Sequence, residues 1–353
     1  MSVRNRLLGY GFWAGVLMVL TGLGLGTLHP AYAAGRSEAT REEVVIGYQT
    51  IPNGAMVAKQ LGWHEERLGR PVQWVQFNSG SELNAAVAAG SVDIGLGGSS
   101  TTVAAIAQGV PARVFFIYDI IGENEALVVR SGSGISEVTD LVGKRVAAPF
   151  GATTHYHLLA ALGEAEVDPE SVTILDMTTG DILAAWQRGD IDAAFVWEPS
   201  LAALLELGGD VLITSGELAQ LGYLTGDIGI VREGFAARNP ELVVRYLETQ
   251  LRAIALYRQD PEAAAAAVAR EFDISESEAA RQMAGLQLLS GPEQLGSEYL
   301  GTSTAPGALA EVFHATAQFL VEQQTIGRLP EIEVFRNAID ASFLERAVRG
   351  LEE

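Results

Sequence analysis

The sequence predicts an α/β protein of two similar lobes, each with a mostly parallel sheet covered by helices. The first observation is the regular alternation of short β-branched segments with segments of helical period, which is typical of parallel sheets. The second is an internal repeat, in which the segment at 83–100 aligns with 182–199, so that Gly90 matches Gly189. The third is length, since 353 residues suggest two domains.

The first half of the chain gives strands and helices in turn. Apolar, β-branched segments predict strands at 43–50, 71–77, 92–98, 112–121 and 125–130. Segments of helical spacing predict helices at 55–69, 81–90 and 99–109. Gly90 closes the second of these helices, as glycine commonly does at a helix C-terminus.

The second half of the chain shows the same alternation of strands and helices before it becomes mainly helical. Strands are predicted at 141–150, 172–177, 191–197, 211–216 and 226–233, and helices at 153–162, 181–189 and 201–208. Beyond Gly234 the pattern is helical almost to the end, with long stripes at 239–259 and 261–272.

Residues 1–33 have the features of a cleavable signal peptide rather than of the fold. Arg4 and Arg6 precede an apolar stretch at 7–28, and Ala31–Ala33 gives a small-residue cleavage site. The alternative is a retained membrane anchor, because the apolar stretch approaches the length of a spanning helix. We expect an exported, soluble chain that begins near residue 34.

The composition excludes several classes of protein. The chain carries 44 acidic and 23 basic residues, a net charge of −21, which predicts repulsion from nucleic acids and anionic membranes. It has no cysteine, so it forms no disulfides and has no lipid-modified N-terminal cysteine. The acidic balance itself predicts solubility and says nothing about a ligand.

Two helix starts rich in glycine and hydroxyls predict an anion-binding end of a cleft. One follows the strand at 92–98 and carries Ser99 and Ser100, and the other carries Thr153 and Thr154. Free N–H groups and the helix dipole favour an anion at such positions. The alternative for each hydroxyl is a simple helix cap. Gln49 ends another strand and is expected at the same edge.

The histidines beside the second helix start do not predict a metal site. His155 and His157 are two residues apart and point to different sides of a helix. A zinc site would need a spacing of four or further cysteine and histidine ligands. We therefore expect no metal and no cofactor, with one histidine near the cleft.

An opposite set of groups predicts a site for an ammonium group. Glu125 and Asp227 begin strands that we expect to pair and to cross between the lobes, and Trp197 ends another strand. Two carboxylates and an aromatic face bind ammonium through charge-assisted hydrogen bonds and cation–π attraction. The alternative is that these carboxylates cap turns or pair with Arg130 and Arg232.

The aspartates of the internal repeat are expected to be structural. Asp93 and Asp192 precede their strands, at the end opposite to the one where open α/β sheets bind ligands.

Five motifs of this sequence carry a resemblance to a known family: "GYQT", "LGGSS", "NEALVVR", "PFGATTHYHLLAAL" and "AAWQRGDIDAAFVWEP". They resemble the periplasmic taurine-binding proteins of ABC importers, within the wider sulfonate- and nitrate-binding group. The resemblance covers roughly residues 43–235 and continues more loosely to the end. It implies a two-lobed, type II-like periplasmic binding fold whose lobes are joined by two crossing strands, and a solute that is delivered to a membrane permease with its ATPase. The implied lobes are 42–128 with 229–353, and 129–228.

The resemblance also implies which residues contact the solute. The sulfonate would contact Gln49, Ser99, Ser100, Thr153, Thr154 and His155. The amine would contact Glu125, Trp197 and Asp227. Glu198 departs from the pattern by placing a carboxylate after the tryptophan.

Other functions remain open at this stage. The ligand alternatives are another aminosulfonate or alkanesulfonate, a carboxylate or phosphonate analogue, and a small oxyanion such as nitrate. A thiamine-precursor synthase shares the fold but uses a cysteine-rich segment, which this chain lacks. We expect a monomeric periplasmic binding protein and not an enzyme.

Overall fold

The structure is a computed structural model that describes residues 42–352. The predicted signal peptide, residues 1–33, lies outside the described residues. None of the helices within 42–352 is long and apolar enough to cross a membrane.

Eleven strands are present within the described residues. They are β1 (Val44–Tyr48), β2 (Val72–Gln76), β3 (Ile94–Gly98), β4 (Ala112–Ile121), β5 (Glu125–Arg130), β6 (Arg145–Ala148), β7 (Thr173–Asp176), β8 (Ala193–Trp197), β9 (Gly209–Thr214), β10 (Gly226–Arg232) and β11 (Leu286–Gln287).

Sixteen α-helices fall within the same residues. They are α1 (Gly54–Gln60), α2 (Trp63–Leu68), α3 (Gly80–Ala88), α4 (Ser99–Ala107), α5 (Thr153–Glu164), α6 (Thr179–Arg188), α7 (Ser200–Glu206), α8 (Ser215–Gln220), α9 (Glu233–Arg238), α10 (Pro240–Gln259), α11 (Pro261–Phe272), α12 (Glu276–Met283), α13 (Gly291–Gln294), α14 (Leu309–Glu322), α15 (Ile332–Ala338) and α16 (Ser342–Glu352).

The strands form two mixed sheets, as the sequence predicts. The first has the order β11-β4-β10-β3-β1-β2, and the second has the order β7-β6-β8-β5-β9. Four of the six strands in the first sheet run in one direction, against β10 and β11. In the second sheet β5 alone runs against the other four.

The predicted pairing of the two crossing segments is wrong. β5 pairs with β8 and β9 in the second sheet, whereas β10 is inserted between β3 and β4 in the first. The chain therefore changes sheet twice, in the short segment at 122–124 and again at 221–225. Each of the two antiparallel strands brings its first residue to the region where the sheets approach. The division into lobes at 128/129 and 228/229 stays a prediction.

The internal repeat is reproduced down to individual hydrogen bonds. The carboxylate of Asp93 accepts from the backbone N–H of Val45 at 3.0 Å, where β1 begins. The carboxylate of Asp192 accepts from the backbone N–H of Arg145 at 2.8 Å, where β6 begins. In both cases the aspartate N–H also donates to the carbonyl of the same partner at 2.9 Å. Both aspartates thus tie neighbouring strands together, which confirms the structural role predicted for them.

The cores explain why both sheets hold their positions. β4 and β10 are buried along nearly their whole length, and Phe115, Phe116 and Ile117 are fully buried on β4. α5 packs its fully buried Leu158 and Leu162 against the second sheet. Burial of such side chains stabilises each by about 1.5–3 kcal/mol, so the strand ends between the sheets are anchored on rigid elements.

Candidate functional site

A pocket lies where the carboxyl ends of strands from both sheets meet. It encloses about 360 Å³, which includes its mouth open to solvent. Its walls come from both sheets and from the helix starts that follow their strands. The lining residues are Gln49, Ile51, Gly80, Gly98, Thr101, Ile121, Asn124, Glu125, Ala152, Thr153, Trp197 and Asp227.

Two helices point uncapped N-termini at this pocket. Gly98 precedes α4 and Ala152 precedes α5, and neither residue offers a side chain to the N–H groups of the first turn. The unpaired N–H groups and the helix dipole together favour an anion. By contrast, α3 starts nearby with Ser79, whose hydroxyl accepts from the N–H of Glu82. The sequence prediction of an anion-binding end therefore has a geometric basis in backbone groups.

Glycine allows the helix starts to approach each other. A Cβ on Gly98 would lie 2.9 Å from Cγ2 of Thr153, a separation that real Cβ atoms avoid. A Cβ on Gly80 would lie only 2.3 Å from Oγ1 of Thr101. These two glycines keep the N-termini of α3, α4 and α5 together around one small volume. Gln49 adds a buried amide beside them.

The strand register places an acidic group directly beside the anion-binding end. Asp227 on β10 is paired with Gly98 on β3, so their Cα atoms are about 4.5–5.5 Å apart. On its other side Asp227 is paired with Asp119 on β4. In the second sheet Glu125 is paired with Trp197. Two short pairings thus bring together the carboxylates and the aromatic ring that the sequence predicts.

Glu125 is the centre of a buried hydrogen-bond network. Its Oε2 accepts from the hydroxyl of Thr153 at 2.7 Å, and its Oε1 accepts from the hydroxyl of Ser215 at 2.8 Å. Nδ1 of His157 lies 3.1 Å from the same Oε1 and 2.7 Å from Oγ of Ser215. Nε2 of His157 lies 2.8 Å from the carbonyl oxygen of Tyr223. The network fixes the carboxylate at the wall of the pocket.

This network changes the expected role of Thr153. The sequence assigns its hydroxyl to an anion, but a hydroxyl has one proton, and here that proton is donated to Glu125. Thr153 lines the pocket, and its backbone N–H lies in the uncapped first turn of α5.

Asp227 and Asp119 are both buried and electrostatically linked. Burial raises the pKa of Asp227 well above its ordinary value, and the nearby charges of Asp119 and Glu125 raise it further. Burial raises the pKa of Asp119 to about 6, although hydrogen bonds from its surroundings oppose the shift. A positive charge beside Asp227 would relieve this repulsion.

Four predicted site residues lie outside the pocket lining. Oγ of Ser99 accepts from the N–H of Gly226 at 3.3 Å, and the hydroxyl of Ser100 donates to the carbonyl of Gly151 at 3.0 Å. The hydroxyl of Thr154 is fully buried and has no hydrogen-bond partner within 42–352. The ring of His155 is stacked on Phe150, with centroids 4.3 Å apart, and burial lowers its pKa to about 4. Their contact with a ligand stays a prediction.

Glu198 has structural partners on α7 and α12. Its Oε2 accepts from the N–H of Ala202 in α7 at 2.8 Å, and its Oε1 lies 3.1 Å from Nη2 of Arg281 on α12. Burial raises the pKa of Glu198, whereas the hydrogen bond and Arg281 oppose this shift. Because α12 packs on α11 beside the first sheet, this ion pair joins elements of the two sheets.

Sequence reasoning missed several residues of the site. Asn124 and Ile121 line the pocket at the change of sheet, and Asp119 lies behind Asp227. Asp119 has a recognisable signal, since it is the only charged residue in the apolar strand FFIYDII. No group of three or more potential metal ligands is found within the described part of the chain.

Comparisons with known proteins identify relatives of this chain. The family model described as NMT1/THI5 like matches residues 51–264. The taurine-binding periplasmic protein of Escherichia coli K12 is 36% identical over 312 residues, which cover 87% of this chain and 93% of that protein. A putative aliphatic sulfonates-binding protein of the same organism is 30% identical over 70% of this chain and 77% of its own length.

A solved structure shows the same architecture. The alkanesulfonate-binding protein SsuA from Xanthomonas axonopodis pv. citri, bound to MOPS, superposes with a TM-score of 0.70. The match is 24% identical and covers 85% of this chain and 98% of that protein. These relatives are binding proteins, which agrees with the expectation of a chain that is not an enzyme. The chain belongs to the NMT1/THI5-like family and has the two-lobed fold of periplasmic binding proteins.

Proposed function

We propose that this chain is the solute-binding protein of an ABC importer and that it captures taurine between its two sheets. The observation that supports this most directly is the polarity of one small pocket. Uncapped helix N-termini at Gly98 and Ala152 form one end, and Asp227, Glu125 and Trp197 form the other. A sulfonate and an ammonium group two carbons apart match these two ends.

The length of the pocket favours a short zwitterion. Asp227 and Gly98 are directly paired across neighbouring strands, so the acidic end and the helix N-terminus are only about one strand spacing apart. Ile51 and Ile121 line the same pocket and would cover the apolar carbons of the ligand. A ligand with a longer chain would have to extend out of the pocket through its mouth.

Different kinds of group bind the two charged ends of the ligand in the proposed complex. Backbone N–H groups of α4 and α5, with the amide of Gln49, bind the sulfonate oxygens. Asp227 binds the ammonium group, with Glu125 held beside it by Thr153, Ser215 and His157. The ring of Trp197 lies opposite Glu125 in the sheet and provides an aromatic face.

Calorimetry of the purified mature protein tests the proposal. We expect taurine to bind more tightly than ethanesulfonate, because the amine-free ligand leaves buried carboxylates without a counter-charge. Nitrate, sulfate, a carboxylate analogue and a phosphonate analogue of taurine complete the panel. If only amine-free anions bind, the assignment of the acidic end is wrong.

A second candidate is a binder of aliphatic sulfonates in general. It is favoured by the 30% identical relative, whose name describes aliphatic sulfonates. The same titration distinguishes the two, because a general sulfonate binder would bind ethanesulfonate at least as tightly as taurine.

The proposed function also includes a location and partners. We infer that residues 1–33 are removed on export, that the mature chain is a periplasmic monomer, and that it docks on a permease with its ATPase. Mass spectrometry of the secreted chain is expected to give an N-terminus near Ala34. Recovery of the intact N-terminus in a membrane fraction would contradict this.

A further inference from the structure

Two carboxyl groups face each other behind the pocket. Asp119 on β4 and Asp227 on β10 are directly paired in an antiparallel ladder, so their side chains lie on the same face of the sheet. Asp119 is fully buried and Asp227 is 4% exposed. Like charges that are directly opposite destabilise a sheet, and burial makes the repulsion larger. A pair of this kind is stable when its two carboxyl groups hold one proton between them.

The hydrogen bonds of Asp119 leave a place for that proton. Its Oδ2 accepts from Nδ2 of Asn53 at 2.7 Å. The amide of Asn53 is oriented unambiguously, because its Oδ1 accepts from the N–H of Ala55 at 3.0 Å, where α1 begins. The other oxygen of Asp119, Oδ1, is buried and has no donor from the described residues. A carboxyl O–H on Asp227 is the group that can supply one.

Four other titratable side chains within 42–352 act on the pair or lie near it. The other charged group that acts on both is Glu125 on β5. Tyr118 on β4 and Tyr257 on α10 are electrostatically linked to the pair, and burial holds the pKa of each phenol above its ordinary value, so both stay neutral. The nearby imidazole of His157 contacts Glu125 and Ser215.

We propose that Asp119 and Asp227 share one proton in the ligand-free protein and that the ammonium group of the ligand replaces it. On binding, the carboxyl O–H bond breaks, the proton passes to the solvent, and the ammonium N–H groups donate to the carboxylate. The net charge behind the pocket stays the same, because one positive charge replaces another. The inference rests on the proposed function and adds Asp119 as a positioning residue that selects for a cationic ligand.

The coupling predicts a difference between two ligands of similar length. Taurine brings an ammonium group and releases about one proton, whereas ethanesulfonate brings none and leaves the shared proton in place. The affinity for taurine should therefore rise as the pH rises through the range in which the free pair loses its proton. The affinity for ethanesulfonate should not rise over that range.

Calorimetry in two buffers measures the released proton directly. Both ligands are titrated into the wild-type protein at about pH 7, in citrate and in bis-tris. This pH lies above the pKa of about 6 of Asp119, so the free pair holds about one proton. Both buffers are free of sulfonate and differ in ionisation enthalpy. The expected result is a buffer-dependent heat equivalent to about one proton for taurine and none for ethanesulfonate. If taurine binds with a buffer-independent heat, the inference is wrong and the proposed function stands. If taurine does not bind at all, the proposed function is wrong, and the inference that rests on it is wrong as well.

Two variants locate the source of the proton. In Asp119→Asn the amide donates to Asp227 and removes its repulsion, so proton release with taurine is expected to fall to less than about half. Binding of ethanesulfonate shows that the variant is folded. In Asp210→Asn, the same change at an exposed position of β9, the release should persist. Release that persists in Asp119→Asn, or that falls equally in Asp210→Asn, would assign the proton elsewhere and overturn the inference.

Discussion

At the scale of single residues, the site depends on which hydrogen-bond partners each side chain has in the protein. Asp227 lines the pocket and receives little hydrogen bonding from the protein. Asp119 is its neighbour on β4. Glu125 is the opposite case, because three neighbouring side chains hold its two oxygens. The two acidic groups of one pocket therefore have different tasks. Asp227 is available for a ligand, and Glu125 contributes charge from a fixed position.

Asp227→Asn is expected to weaken taurine by about tenfold to a hundredfold, because a hydrogen bond to a charged group contributes about 1.5–3 kcal/mol. Ethanesulfonate should weaken less, since it has no ammonium group that Asp227 could bind. Both ligands are measured by calorimetry at matched salt. Asp210→Asn, an exposed change of the same charge on β9, is the control. Equal weakening of both ligands would show that Asp227 does not contact the amine.

Thr153→Ala is expected to act on the ligand-free protein. The change removes the hydroxyl that donates to Glu125 at 2.7 Å and leaves a buried carboxylate oxygen without that donor. The free energy of unfolding should fall by about 1.5–3 kcal/mol, as measured by urea denaturation without ligand. Thr153→Ser keeps the hydroxyl and should restore most of the loss. If Thr153→Ala leaves the stability unchanged and reduces the affinity, the hydroxyl of Thr153 binds the anion, as the sequence predicts.

At the scale of secondary structure elements, the anion-binding groups that we propose are backbone N–H groups at helix N-termini more than side chains. The sequence indicates the right helix starts because glycine and hydroxyl residues mark them. It does not indicate which of the side chains turn inward. Each residue along a helix is rotated by about 100° from the one before, so Thr154 and His155 point away when Thr153 faces the pocket. Asp119 escaped prediction for another reason, since the register between β4 and β10 is set by contacts far apart in sequence.

Ala152→Ser tests whether the uncapped N-terminus of α5 is functional. A serine at this N-cap would satisfy N–H groups of the first turn and should raise the free energy of unfolding by about 0.5–2 kcal/mol. The same hydrogen bonds would compete with the sulfonate, so the affinity for taurine should fall. Urea denaturation and calorimetry measure the two effects. Glu331→Ser at the N-cap of α15, which also lacks a side-chain cap, should raise stability without a change in affinity. A gain in both properties at residue 152 would place the anion elsewhere.

At the scale of the whole molecule, the internal repeat explains how two sheets come to share one pocket. The alternation of elements, the matched aspartates and the helix starts after equivalent strands were all visible in the sequence, because they depend on local patterns. The pairing of β10 with β3 and β4 was not visible, although the resemblance implied that residues from 229 onward belong with the first lobe. An apolar strand fits either sheet equally well, and only the packed core decides between them. This insertion is what brings Asp227 next to Gly98.

The ion pair between Arg281 and Glu198 has a consequence for residence time. The pair joins α12, beside the first sheet, to the residue after β8 in the second, so it would have to break if the sheets separate to let a solute leave. A contact of about 1 kcal/mol would slow dissociation roughly fivefold and leave association almost unchanged. In stopped-flow measurements of tryptophan fluorescence, Arg281→Gln should therefore release taurine faster, and high ionic strength should do the same to the wild type but not to the variant. Arg336→Gln, which breaks an exposed cluster on α15, should leave the dissociation rate unchanged. The strength of one half-buried ion pair would then set how long the protein carries its solute before it meets a permease.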